Sequence, residues 1–131
     1  MTKRFLLYGA FGIFLEILWT SINSCISGDL TFTGHSSLIM FFIYGMVLFL
    51  EPLFELFSHQ YTFVRIVTYS MFIFSMEYFS GIFLTKLSMC PWFYDGKYNI
   101  SNVIRLDYII LWMAAGYVYE RLYFYFSSHN L

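Results

Sequence analysis

The sequence predicts an all-α integral membrane protein built as a bundle of four helices. Of its 131 residues 60% are hydrophobic and only 11% are charged, and the apolar residues are concentrated in four long stretches. A soluble domain carries about 25% charged residues, and a chain of about 130 residues leaves roughly a third of its surface exposed. We therefore expect lipid to cover this exterior. The stretches leave no room for a second domain, so one membrane domain, 1–131, is expected.

The first two stretches are predicted to form helices at residues 5–26 and 37–57. Each is long enough to cross the hydrocarbon core, which takes about 20 residues. The first is interrupted by one carboxylate, Glu16, and the second carries Pro52 in its last third. Because proline has no N–H to donate, Pro52 leaves the carbonyl of Leu48, one turn earlier, without its usual helical partner.

The other two stretches are predicted to form helices at residues 61–87 and 103–126. The third is the longest and would cross the bilayer with some tilt, and it carries a carboxylate, Glu77, near its centre. Lys and Arg are enriched in cytoplasmic segments. The pair Lys3 and Arg4, together with a first loop that contains neither residue type, predicts that both termini lie on the cytoplasmic side.

Polar side chains inside the apolar stretches predict an intramembrane site. Glu16 and Glu77 each lie roughly midway along a predicted helix, on a face of small and polar residues. A charge at the bilayer centre costs about 2.5–3.5 kcal/mol even on the mildest scale, and no Lys or Arg falls at their depth. We expect them to share a site with Asn23 and Tyr44. Such a site suits a proton or a cation, whereas neutral acids bonded to Tyr, Ser or Asn would only hold helices together.

A second polar group is predicted near the cytoplasmic ends of the last three helices. Its acidic and basic residues lie close to the interface, so we interpret them as ion pairs that close the bundle rather than as a site. The group consists of Glu51, Glu55, Arg65, Glu120 and Arg121.

The two cysteines, Cys25 and Cys90, are predicted to lie just beyond helix ends on the non-cytoplasmic side. That compartment permits a disulfide between them. Two free cysteines that only pack against apolar neighbours are equally compatible with their positions.

Several function classes are disfavoured by the residues that the sequence does not contain. A net charge of −1 with no basic run argues against nucleic-acid binding. The three histidines are scattered over loops and tail, so no metal site is expected. Without a Gly-rich phosphate loop or a Ser/His/Asp set, the sequence predicts no catalytic residues and no cofactor. This favours a protein that is not an enzyme, without excluding one.

Nearly the whole sequence, from about Tyr8 to Glu120, resembles a known family, and the loop that begins at Cys90 is the most specific part. The residues that carry the resemblance are Cys90, Pro91, Trp92, Phe93, Tyr94 and Asp95, followed by Ile104, Arg105, Leu106, Asp107, Tyr108 and Trp112. They resemble the Cys-Pro-Trp-Asp-Tyr-Ser … Leu-Ile-x-Leu-x-Tyr … Trp pattern of a family of small polytopic membrane proteins called ABC-transporter permeases, which includes the transmembrane protein 229 group. Upstream, Glu16, Tyr44 and Glu77 also fall in the family's order. In the loop, Phe93 stands where the family has Asp.

The resemblance implies a polytopic helical protein, and the intramembrane acids suggest a transport-associated, permease-like role with a cation, a proton or a small polar solute. Transporters usually contain repeats, so a four-helix unit is expected to need a homo-oligomer or a partner membrane subunit, including a separate ATPase. The alternative is a structural or assembly protein whose polar helix faces dock partner helices. The expected location is the plasma membrane, or an endomembrane in a eukaryote.

Overall fold

Helices make up almost all of the regular structure. The computed structural model of the protein describes residues 2–92, 97, 99–101 and 104–131. Helix α1 spans Thr2–Ile26, within three residues of the predicted bounds. The structure therefore confirms the all-α class.

The second stretch is helical throughout Leu38–Leu56 but changes its winding in the middle. Helix α2 spans Leu38–Gly45, a 3₁₀ segment spans Met46–Leu50, and helix α3 spans Glu51–Leu56. Pro52 lies in the first turn of α3, where a missing N–H removes no helical hydrogen bond. The sequence predicted one continuous helix here. The structure has two α-helices instead, joined by the tighter 3₁₀ turns that precede the proline.

The third stretch matches its prediction and the fourth begins later than predicted. Helix α4 spans Thr62–Lys86 and helix α5 spans Ile109–Ser128, so the predicted start at 103 is wrong. Strand β1, Asn99–Ile100, pairs antiparallel with strand β2, Ile104–Arg105. This pairing uses backbone groups that a longer α5 would need, and a 3₁₀ turn then leads into the helix.

Three helical segments are long and apolar enough to cross a membrane: Thr2–Ile26, Leu38–Leu56 and Thr62–Lys86. Within the described part of the chain α5 is not one of them. It contains four tyrosines and the adjacent charged residues Glu120 and Arg121, which lower its hydropathy. The chain is therefore a membrane protein by the length and composition of these three segments.

The described residues pack as two compact units, which divide at the end of the 3₁₀ segment. The first contains α1, α2 and the loop between them, and the second contains α3, α4, the β-hairpin and α5. The expectation of one membrane domain over 1–131 stays a prediction.

Glycines let α1 and α2 approach closely in the first unit. A Cβ on Gly9 would lie 2.6 Å from the carbonyl oxygen of Phe41, and a Cβ on Gly45 would lie 2.7 Å from the ring of Phe5. Both distances are too short for a side chain, so only glycine fits without a shift. Close backbone approach of this kind is how helices associate in lipid, where burial of apolar surface provides no driving force.

Aromatic rings form the core of the second unit. Tyr69 of α4 and Phe54 of α3 are fully buried and meet edge to face, with ring centroids 5.0 Å apart. Tyr123 of α5 also packs against Phe54, with ring centroids 5.6 Å apart. A Cβ on Gly116 would lie 2.8 Å from the Cβ of Tyr69, so α5 presents a glycine where α4 presents its aromatic residue.

Candidate functional site

Glu16 lies in the first unit, where the α1–α2 loop folds back onto α1. Ser36 Oγ donates a hydrogen bond to Glu16 Oε2 at 3.0 Å, and the next residue, Ser37, caps the start of α2. The Glu16 side chain is half-buried. Among the residues that the structure describes, no Lys or Arg side chain forms an ion pair with it. Glu16 is thus an acid within a candidate membrane span that is bonded to a neutral hydroxyl.

Glu16 lies near the middle of α1, as predicted, but opposite the start of α2. Glu16 faces Ser36, whereas Phe5 faces Gly45 at the other end of α2. These two positions on α1 are separated by roughly 16 Å at 1.5 Å per residue. Tyr44 therefore lies near Phe5 and not at the level of Glu16. The fold-back of the loop places Glu16 where α2 begins, not at its middle.

Asn23 is also apart from Glu16. It lies seven residues further along α1, roughly 10 Å by helical rise, and its side chain is exposed. The predicted grouping of Glu16 with Asn23 and Tyr44 is therefore not what the first unit contains. Glu77 belongs to α4 of the second unit, where it is half-buried, and the shared site with Glu16 stays a prediction.

Loop residues beside Glu16 are fastened directly to α1. The backbone N–H of His35 donates to Thr20 Oγ1 at 2.9 Å. The Thr20 hydroxyl in turn lies 3.0 Å from the backbone carbonyl oxygen of Glu16. A Cβ on Gly34 would lie 2.8 Å from Ile17 Cγ2, so a glycine is needed for the loop to come this close. The acid is consequently held in a fixed arrangement between helix and loop.

A crevice of about 350 Å³ opens beside this contact. Its α1-side residues recur at spacings of three and four, which places them on one helix face. The crevice is lined by Thr20, Asn23, Ser24, Ser27, Asp29 and His35. Thr20 is the lining residue nearest to Glu16 along α1, one helical turn away. We call this feature the crevice.

Asp29 organises the loop at the crevice. Its Oδ1 accepts hydrogen bonds from the Thr31 hydroxyl at 2.5 Å and from the Thr31 N–H at 3.0 Å. These bonds, the hydroxyl first, hold the pKa of Asp29 below its ordinary value, because they favour the charged form. A depressed folded pKa stabilises the loop above the ordinary pKa, and that stabilisation is lost as the pH falls through the folded pKa.

We expect Thr31→Val to raise the pKa of Asp29 towards its ordinary value, because the substitution removes the strongest donor and keeps the backbone N–H. An NMR pH titration of the Asp29 carboxyl in detergent micelles measures this. Thr33→Val is the matched control and should raise the pKa less, since Thr33 contributes less to the shift. An equal rise in both variants would contradict the assignment to the Thr31 hydroxyl.

The second unit brings together three residues of the predicted cytoplasmic-side group. Arg65 binds Glu120 through two bonds, Nε to Oε2 at 2.9 Å and Nη2 to Oε1 at 3.1 Å. Tyr69 Oη donates to Oε2 of the same carboxylate at 2.5 Å, and Arg121 Nη2 donates to Oε1 at 2.7 Å. Glu120 is 0% exposed. The Arg65–Glu120 ion pair is buried between α4 and α5, and the position of this group at the membrane interface stays a prediction.

Glu55 has a different partner in the same unit. Its Oε1 accepts a hydrogen bond from the hydroxyl of Tyr123, on α5. Glu51 lies one turn earlier and is half-buried, whereas Glu55 is exposed. The five predicted residues are therefore distributed over α3, α4 and α5, with Arg65, Glu120 and Arg121 in one network.

Two tyrosines in these contacts were not predicted from the sequence. Tyr69 follows Arg65 by four residues, and Tyr123 follows Glu120 by three. Residues at these spacings share a helix face. That periodicity was the available signal, and it applies to any polar side chain beside a charged residue within an apolar helix.

The cysteine loop is described in part. Cys25 and Cys90 are both free thiols in the structure, and the disulfide between them stays a prediction. Cys90 Sγ donates to the carbonyl oxygen of Trp92 at 3.3 Å, and Pro91 between them is exposed. Tyr94, another residue of the family-like motif, lies outside the described residues.

Arg105 and Asp107 form a local ion pair before α5. Arg105 Nε lies 2.8 Å from Asp107 Oδ1, and the guanidinium stands over the ring of Tyr108 at 4.8 Å. The hydrogen bond to Asp107 raises the pKa of Arg105 above its ordinary value, since it favours the charged form. Both side chains are partly exposed, which suits a role in fixing the turn.

Within the described part of the chain, no group of three or more His, Cys, Asp or Glu side chains could hold a metal ion. The resemblance to the permease family stays a prediction that depends on the motif residues alone. No protein-family model and no solved structure matches the chain.

Proposed function

We propose that the protein is a transport-associated, permease-like membrane protein in which Glu16 handles a proton, a small cation or a small polar solute. The observation that carries the proposal is a contrast between two acids within helices. Glu120 accepts hydrogen bonds from two arginines and a tyrosine. Glu16 accepts one from the hydroxyl of Ser36.

The contrast matters because a carboxylate inside lipid is costly unless its charge is compensated. Arg65 compensates Glu120 within the protein, so that acid serves stability. Glu16 has a neutral hydroxyl partner instead, so a proton or a positively charged ligand could compensate its charge without displacing an arginine. Such a carboxyl group can gain or lose a proton, or bind and release a cation, during a functional cycle without breaking an ion pair.

The proposal also includes an orientation of the chain in the membrane and additional subunits. The pair Lys3 and Arg4 supports termini on the cytoplasmic side, with the crevice on the opposite side. A unit of four helices is small for alternating access. A homo-oligomer, a partner membrane subunit or a separate ATPase would supply the rest of the machinery.

We expect wild-type protein in liposomes to conduct protons, or to exchange them for Na⁺ or K⁺, above the level of empty liposomes, and Glu16→Gln to abolish this flux. Gln keeps the size and hydrogen bonding of the side chain but can neither bind a proton nor carry a charge. An entrapped pH-sensitive dye measures the flux under an imposed ion gradient. Asp107→Asn makes the same type of change in an exposed loop pair and serves as the control.

The outcomes separate the two candidate roles. Loss of flux in Glu16→Gln, with normal flux in Asp107→Asn, supports the transport role. Wild-type liposomes that behave as empty ones for protons, Na⁺ and K⁺ would contradict ion coupling at Glu16. The structural or assembly role would then be the better account of the chain.

A further inference from the structure

We infer that Glu16 exchanges protons with the solution on the side of the α1–α2 loop, and that the crevice is the route. The inference deepens the proposed function, on which its purpose rests, by naming the ion and its path. The inference can be tested whether or not the protein transports ions, because proton exchange at one carboxyl group can be observed directly.

The crevice reaches the neighbourhood of Glu16 by two sets of contacts. On the helix side, the hydroxyl of Thr20 lines the crevice and lies 3.0 Å from the backbone carbonyl oxygen of Glu16. On the loop side, His35 lines the crevice and is followed by Ser36, whose hydroxyl is bonded to the Glu16 carboxylate. Contacts on the loop side therefore lead from the crevice to the Glu16 carboxylate, whereas those on the helix side reach its backbone carbonyl.

The crevice is suited to water rather than to lipid. Its lining side chains carry hydroxyl, amide, imidazole and carboxylate groups, and its volume of about 350 Å³ has room for several water molecules. Thr20 and Asp29 have partners within the protein, but acyl chains could offer no hydrogen bond to the Asn23 amide or the His35 imidazole, which is costly. Water in the crevice would bring solution to within one helical turn of Glu16.

The chemistry at Glu16 fits a proton better than a metal cation. Ions such as Ca²⁺ take 6–8 oxygen ligands, whereas Glu16 has one hydroxyl as its side-chain partner. A proton needs a single oxygen. A hydronium ion that reaches Glu16 from the crevice can transfer its proton to Oε1 and leave as water, while Ser36 continues to donate to Oε2. Release to water reverses the step, so atoms and charge balance.

The test asks whether an aqueous reagent reaches Glu16 through the crevice. In a background with Cys25→Ser and Cys90→Ser, Asn23→Cys places one thiol in the crevice, where a membrane-impermeant cationic methanethiosulfonate can attach. A water-soluble carbodiimide is then added, which reacts with protonated carboxyl groups. Mass spectrometry of the peptide containing Glu16 measures its modification. Ser27→Cys is a second blocking position on the same crevice.

Leu30→Cys is the matched control, because Leu30 is 79% exposed in the same loop and does not line the crevice. We expect the attached group to stop modification of Glu16 in Asn23→Cys and Ser27→Cys, and to leave it unchanged in Leu30→Cys. Lipid-soluble dicyclohexylcarbodiimide should still modify Glu16 in every variant, which shows that the acid and the fold remain intact.

Three results would overturn the inference. Unchanged modification of Glu16 in both blocked crevice variants would show that protons arrive by another path. Modification by the lipid-soluble reagent alone would show that the crevice does not carry solution to the acid, and modification by neither reagent would show that Glu16 exchanges no proton. Absence of ion flux in liposomes, together with protection of Glu16 by the block, would instead contradict only the proposed transport role.

Discussion

Arg65→Met will destabilise the protein by about 3–5 kcal/mol, because it leaves the fully buried Glu120 carboxylate without its main counter-charge. Met fills much of the volume of Arg, so the effect reports on charge more than on packing. Unfolding in mixed micelles with increasing dodecyl sulfate, followed by tryptophan fluorescence, measures the free energy of unfolding.

Two controls identify the cause of this loss. Arg121→Met removes the other arginine bonded to Glu120, but that side chain is 54% exposed, so we expect a cost of up to about 1 kcal/mol. The double variant Arg65→Met with Glu120→Leu removes both buried charges and should recover most of the stability, since apolar replacement of a buried pair is often neutral. A double variant as unstable as Arg65→Met alone would contradict the charge explanation.

The long helices could be predicted because their ends coincide with changes in composition. Helix α1 ends at Ile26, where Ser, Gly and Asp follow, and α4 ends at Lys86 after an apolar run. Such boundaries are local properties of the chain. Hydrophobic length alone therefore gave the position of both helices to within a few residues.

The pairing of the two short strands and the 3₁₀ winding before Pro52 could not be predicted in the same way. The start of α5 depends on Asn99 pairing with Arg105 and Ile100 with Ile104, a contact between residues that the apolar pattern treats as loop and helix. The 3₁₀ segment before Pro52 depends on how the chain adapts to a missing N–H. Both features result from competition between backbone hydrogen bonds, which composition does not record.

The charged residues were predictable as neighbours but not as buried groups. Arg65, Glu120 and Arg121 fall near the same ends of successive helices, so their proximity follows from an up-and-down arrangement. Sequence reasoning assigns charge to a surface by default. The bidentate geometry and the Tyr69 hydroxyl, which together make burial of Glu120 tolerable, are properties of side-chain placement.

For Glu16 the sequence predicted an isolated acid in an apolar helix but did not predict its contacts with the loop. A lone acid in an apolar stretch was evident, as was the lack of a basic residue at its depth. Its partner Ser36 was not, because the loop reaches α1 only where Gly34 allows it, and a single loop glycine carries no signal of what it packs against. The crevice follows from that fold-back and was likewise not predicted.

Gly9→Val will destabilise the first unit by about 1–3 kcal/mol or more, because the new side chain must displace backbone. A Cβ at this position would lie 2.6 Å from the carbonyl oxygen of Phe41 and 3.1 Å from its ring. A ring can rotate away, but a carbonyl in a helix can move only with its helix. We therefore expect α1 and α2 to separate locally and to lose close contacts along the hairpin.

Ala10→Val is the matched control, since Ala10 is the next residue of α1 and its side chain is exposed. Helix propensity alone predicts the opposite order of stability: Gly→Val gains propensity, whereas Ala→Val loses it. A lower free energy of unfolding for Gly9→Val than for Ala10→Val, measured by the same dodecyl sulfate titration, can therefore come only from the contact with α2. Equal stability of the two variants, or a more stable Gly9→Val, would show that α1 and α2 do not meet at Gly9. The loop that holds Ser36 against Glu16 connects these same two helices, so the hairpin contact is also a condition for the arrangement at the acid.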